Sequence, residues 1–177
     1  TNVDILKSIT PEIVAAAPNA MYILVSNPVD VLTYVFTKIS GLPEKQIVGS
    51  GTILDSARLR YILSAHYGVA QKNIPAYVYG EHGDSSFIPW SGTSISGVHI
   101  DEYHDLMVSR NVKVDAVDKE AVLQYVQKSG GTIIKNKGAT FYAVSAAVCK
   151  LCSILLASSD SISTVSTMMH GEYGISD

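Results

Sequence analysis

The chain is poor in the features that mark the special classes of protein. Its two cysteines, Cys149 and Cys152, are too few in 177 residues for a disulfide scaffold. No apolar run approaches the ~20 residues that span a bilayer, and the N-terminus shows neither a charged leader nor a small-residue cleavage pattern. The sequence therefore reads as cytoplasmic, without a membrane partner. Charge of one sign is also scarce. Thirteen basic against sixteen acidic side chains leave a formal charge of −3, which offers no footprint to a nucleic acid backbone. Internal repeats and low-complexity linkers are lacking. What is there is 47% apolar and 16% charged, the make-up of a globular chain that can bury a core.

The front third alternates in the manner of a parallel α/β fold. Val3 to Ala17 has helical spacing around Pro11, and Met21 to Ser26 is a continuous apolar run that suits a strand covered on both faces. Val29 to Ile39 returns to helical spacing and stops at Gly41. QIVGSG predicts a short strand and a glycine-rich turn, and Asp55 to Tyr67 a second helix ending at Gly68. The remainder mixes types. Gly92 to Ile100 alternates as an antiparallel strand, Asp118 to Gln127 is a polar helical segment, and Phe141, Val144, Val148, Leu151, Cys152 and Leu155 fall at helical intervals. Ile162 to Met169 alternates again. The fold class expected is α/β: the C-terminal part of a Rossmann-type parallel sheet, residues 1–50, then most of an α+β domain with antiparallel strands, residues 51–177. Thr1 in place of methionine, an opening that reads as mid-helix, and the close on HGEYGISD suggest a piece of a longer chain.

Chemistry concentrates in three places. Asp55 and Arg58, three apart in LDSARLR, share a helix face just after the GSG turn that holds Ser50, where α/β proteins build sites. A guanidinium there can hold a carboxylate by two parallel hydrogen bonds. The plain alternative is an exposed ion pair of little consequence. In YGEHGDSSFIPW, Gly80 and Gly83 flank His82, so a loop can present the imidazole in a fixed direction. A carboxylate bonded to one ring nitrogen sets the tautomer and leaves the other to pass a proton. Ketone reduction needs that arrangement, with hydride and proton reaching one carbonyl from separate donors. Asn27, in SNPVD at the end of a strand, can donate to a carbonyl oxygen, or can simply open an Asx turn.

Other candidates are weaker. Ser85 with His82 could form a nucleophile pair, but G-x-S-x-G is missing. The Cys149-Lys-Leu-Cys152 run lies inside an apolar helical pattern, where buried inert thiols are expected. His66, His99 and His104 show no metal-ligand spacing, and no metal is expected.

Taken in order, SNPVD, GSGTILDSARLR, GEHGDSSFIPWSG and KGAT resemble the lactate and malate dehydrogenase family along nearly the whole chain. The resemblance implies an NAD-dependent enzyme acting on a small 2-oxo or 2-hydroxy acid, pyruvate and L-lactate. His82 would be the proton donor, Asp55 its partner, and Arg58 the clamp for the substrate carboxylate. Asn27 would touch both nicotinamide and substrate, across a cis Asn27–Pro28 bond. Thr140 would line the substrate pocket, and Val25, Ser50 and Val144 would meet the nicotinamide end of NAD. The EHGD and PW wording resembles the lactate rather than the malate branch, a malate or other L-2-hydroxyacid dehydrogenase being the alternative. The family's G-x-G-x-x-G nucleotide turn and mobile specificity loop would precede Thr1, so the isolated chain is expected to be inactive. In allosteric members a histidine stands just before the catalytic strand; Pro75 holds that place here, and Arg60 matches its basic partner. The family also implies a homo-oligomer, a tetramer. The reading from another class is a non-catalytic interaction remnant.

Overall fold

The computed structural model describes residues 1–157 and 161–175 as two compact units, Thr1–Gly51 with Val165–Asp177, and Thr52–Thr164.

In the first unit, helix α1 spans Asn2–Ala16 and keeps Pro11 inside it. A capping box starts it: the Thr1 hydroxyl accepts from the Asp4 backbone while the Asp4 carboxylate accepts in return. Strand β1, Tyr22–Leu24, pairs in parallel with β2, Ile47–Gly49, in the register Tyr22 with Ile47 and Leu24 with Gly49. Helix α2, Val29–Ser40, joins them and ends at Gly41 in the left-handed conformation. Its buried stripe is Val29, Leu32, Thr33 and Phe36, at the 3.6-residue period. The expected strand over Met21 to Ser26 is shorter and only half-buried, with Met21 and Val25 exposed. Among the described residues β1 has a single strand neighbour, so its other edge has nothing to pair with.

The GSG turn is packed. A side chain at Gly49 would strike the Thr33 hydroxyl and the Ser166 side chain, and one at Gly51, where φ is +47°, would lie 2.7 Å from the backbone of Val165 and Ser166. Both positions require glycine. Gly49 exchanges two backbone hydrogen bonds with Ser166, at 2.9 and 3.1 Å, and the Ser166 hydroxyl donates to the Asp30 carboxylate. Among the described residues, that bridge is all the strand pairing that Ile162 to Met169 makes. The alternating pattern there was strand-like, but a strand also needs a partner edge.

In the second unit, helix α3, Ile53–Tyr67, is the central element. Ser56, Leu59, Leu63 and Tyr67 form its buried stripe, and Leu59 and Leu63 are wholly enclosed. Around them gather Ile74, Ala76, Val78, Ile88, Ile95, Ile100 and Val126. Burial together with the nearby Asp101 charge raises the Tyr67 phenol above its ordinary range. The single strand expected over Gly92 to Ile100 is instead a tight hairpin: β3, Ser94–Ile95, and β4, Val98–His99, are antiparallel. Ser96 and Gly97, both at positive φ, form the two-residue turn that reverses the chain.

Helix α4, Ile100–Ser109, follows at once and was not anticipated. The polar segment near Asp118 is the start of a longer helix, α5, Lys119–Lys137, capped by the Asp118 carboxylate and ended by left-handed Gly138. It runs through Gly130 and Gly131 despite their cost of ~1 kcal/mol each. Helix α6, Tyr142–Leu156, takes up the last apolar pattern, yet only Leu151 of it is buried, while Phe141 and Leu155 are exposed. Cys149, expected to be buried, is exposed, and Cys152 is half-buried.

Candidate active site

Asp55 lies in the first turn of α3 and is only 5% exposed. A negative charge suits the amino end of a helix, but burial of a carboxylate also demands partners. It has two. One oxygen, Oδ2, lies 2.6 Å from His82 Nδ1. The other, Oδ1, accepts from Arg58 Nη1 at 3.0 Å. An ionised carboxylate only accepts, so the proton of the His82–Asp55 bond sits on Nδ1 and proton exchange falls to Nε2. Asp55 and Arg58 are thus a screened pair within the fold rather than a surface ornament: their side chains are 8% and 15% exposed. Arg58 has four further N–H groups beyond the one given to Asp55.

The loop around His82 is built to hold it. Tyr79 and Phe87 exchange backbone hydrogen bonds at 2.9 Å each and close its base. Gly83 N donates to Glu81 O at 2.8 Å, making a tight turn at His82, and Gly80 takes φ +86°. The Ser85 hydroxyl donates to the Glu81 carboxylate at 2.7 Å. The chain entering the loop is tied to α3 as well. Val78 N donates to the Ser56 hydroxyl at 2.9 Å, and the Thr52 hydroxyl donates to Val78 O at 2.5 Å. Ser56 also meets Thr164 Oγ1 at 2.9 Å, in the interior.

Arg58 also faces a cavity of about 740 Å³ shared by α3, α5 and α6, with Leu54, Ala57, Tyr125, Lys128 and Ile133 among its walls. Asp55 and His82 are not part of that lining. Thr140, exposed between α5 and α6, and Val144, half-buried in the first turn of α6, lie outside the hydrogen-bonded cluster of Asp55, Arg58 and His82. Arg60 is committed elsewhere. It donates to Ala76 O at 3.0 Å and lies over the Tyr77 ring, and burial lowers its guanidinium below the usual range. Among the described residues, no group of three or more His, Cys, Asp or Glu side chains could hold a metal ion, and no helix is long and apolar enough to cross a membrane.

The first unit carries the other predicted residues. Val25 and Asn27 are exposed just past β1, and the Asn27–Pro28 bond is cis. Asn27 O accepts from the Asn2 side chain at 2.7 Å. Ser50 N donates to Leu24 O at 2.8 Å, carrying the parallel pairing one step past Gly49. All three sit at the carboxyl ends of the parallel pair, where open α/β sheets receive ligands. An apolar side chain, an amide and a hydroxyl beside a glycine-bounded turn suit the flat ring and carboxamide of a nicotinamide. Sequence reasoning missed Thr52, Ser56 and Gln127 as supports of the His82 loop; the first two stand inside GSGTILDSAR and could have been suspected as helix-start hydroxyls, whereas Gln127 left no local signal.

A buried carboxylate that joins an imidazole to a guanidinium, in an α/β chain, has the groups of an enzyme that moves protons. Comparison with known proteins supplies the family. Residues 1–49 match the lactate/malate dehydrogenase NAD binding domain, and residues 52–177 the alpha/beta C-terminal domain of the same family. L-lactate dehydrogenase 1 of Clostridium acetobutylicum is 44% identical over 99% of this chain, and an L-lactate dehydrogenase of Clostridium perfringens 42% identical over 98%. The solved L-lactate dehydrogenase of Clostridium thermocellum superposes with a TM-score of 0.87 at 43% identity, covering 99% of this chain and 56% of that one. The chain spans about half the length of these relatives, 55% and 54% of the two Clostridium sequences. It belongs to the lactate/malate dehydrogenase family.

Proposed function

We propose that the full-length protein is an NAD-dependent L-lactate dehydrogenase, reducing pyruvate to L-lactate reversibly. Residues 1–50 are then the C-terminal portion of the NAD-binding domain and residues 51–177 the substrate domain. The observation that carries this reading is the two-sided hydrogen bonding of Asp55, to His82 at 2.6 Å and Arg58 at 3.0 Å.

Bound NADH supplies the hydride and its electron pair. The rest is the work of this chain. Arg58 holds the substrate carboxylate through N–H groups not given to Asp55, and Asn27 donates to the carbonyl oxygen. As the carbonyl carbon is reduced, its oxygen takes the Nε2 proton of the His82 imidazolium. His82 is left neutral, its remaining proton on Nδ1 and directed to Asp55. In the oxidation direction the same nitrogen accepts the hydroxyl proton. Thr140 lines the pocket beside the substrate, and Val25, Ser50 and Val144 meet the nicotinamide end. On family likeness the protein is a cytoplasmic homotetramer.

His82→Gln in the full-length protein tests the reading. A positioned acid contributes ~10²–10⁴ in rate, so pyruvate turnover falls by that order while NADH still binds, read by fluorescence titration. Undiminished turnover would refute the assignment.

A further inference from the structure

The two limbs of the His82 loop are held by different helices. Before His82, the chain is tied to α3 through Val78, whose N–H and carbonyl meet Ser56 and Thr52. After it, beyond the Phe87–Tyr79 pair that closes the base, the ties come from α5. The side-chain amide of Gln127, half-buried in that helix, donates to Asp84 O and to Ser86 O, each at 3.0 Å. Ser86 Oγ stands 3.4 Å from the same nitrogen. An amide nitrogen carries two hydrogens, so two carbonyls use it fully.

Without Gln127 the limb after His82 keeps the Phe87–Tyr79 backbone pair at the loop base and the Ser85–Glu81 bond near its tip, and between them only one backbone bond. Ser86 N reaches Gly83 O at 3.3 Å, a long bond. Asp84 and Ser85 are exposed, and Gly80 and Gly83 leave the loop backbone permissive. A ring held by a 2.6 Å bond at one edge needs its backbone fixed on both sides, since small displacements weaken a hydrogen bond steeply.

We propose that Gln127 is a positioning residue for His82, clamping the carbonyls of Asp84 and Ser86 so that Nδ1 stays on Asp55. This rests on the reading of His82 as the proton donor.

The test uses the full-length protein labelled with ¹⁵N, the His82 ring signals being assigned by their loss in His82→Gln. In the wild type the neutral ring carries its proton on Nδ1. Gln127→Ala, and Gln127→Glu, which keeps the size but only accepts at neutral pH, raise the share of the Nε2-protonated form. Both lower kcat about tenfold while KM for pyruvate stays within about twofold, because Arg58 is untouched. If the alanine variant does not fold, the glutamate variant carries the test. A wild-type ring spectrum and kcat in a folded variant of either kind overturn the inference. Should His82→Gln itself turn over normally, the functional reading fails, and the ring spectra alone then decide whether Gln127 positions the imidazole.

Discussion

Helices α3 and α6 are both 15 residues long, and their sequences promise the opposite of what they do. ILDSARLRYILSAHY contains an acid, two arginines and a histidine; YAVSAAVCKLCSILL has Lys150 as its one charged residue. Yet α3 buries six residues and α6 buries one, Leu151. Apolar content states what a helix can bury, and the partners that pack on it decide what it does bury. For α3 those partners come from the hairpin, from α4, α5 and the Ile74 to Val78 segment. Its charged and titratable residues are accommodated because each has a partner: Asp55 bonds both Arg58 and His82, Arg60 donates to Ala76 O, and His66 meets Asp115 O.

The difference can be broken most forcefully at the centre of α3. Leu59→Ala removes a fully enclosed side chain and is expected to cost ~2–5 kcal/mol through lost transfer energy and the cavity left behind, measured by urea unfolding of the full-length protein. Ser56→Ala should cost less, ~1–3 kcal/mol, because Val78 N and Thr164 Oγ1 lose a buried partner; an effect near zero would mean that water replaces the hydroxyl. The smallest effect is expected on α6. Leu156 is 87% exposed, and Leu156→Ala should stay within ~0.5 kcal/mol. A loss as large as that of Leu59→Ala would show that α6 is covered in the full-length protein and would erase the contrast.

The same contrast explains how far the sequence could be read. Helices ended by glycine, α2 at Gly41 and α3 at Gly68, were placed within two residues, because period and cap agree there. Asp55, His82 and Arg58 were readable because short motifs carry their neighbours with them. What failed depended on partners distant in sequence. Ile162 to Met169 has strand composition but, among the described residues, meets only Gly49 by strand pairing, and Gly92 to Ile100 hides a turn at Ser96 and Gly97 inside its alternation. Helix α4 was passed over because IDEYHDLMVS shows its burial only when Ile100 meets the core. Gln127 could not be found from its own neighbourhood, since the carbonyls it binds lie 41 and 43 residues away.

The account depends most on Asp55 and His82 acting as one unit. A double-mutant cycle on kcat/KM for pyruvate in the full-length protein, with Asp55→Asn and His82→Gln, measures this directly. The geometry predicts strong non-additivity, the double variant being no slower than His82→Gln alone. Effects that multiply independently would contradict it.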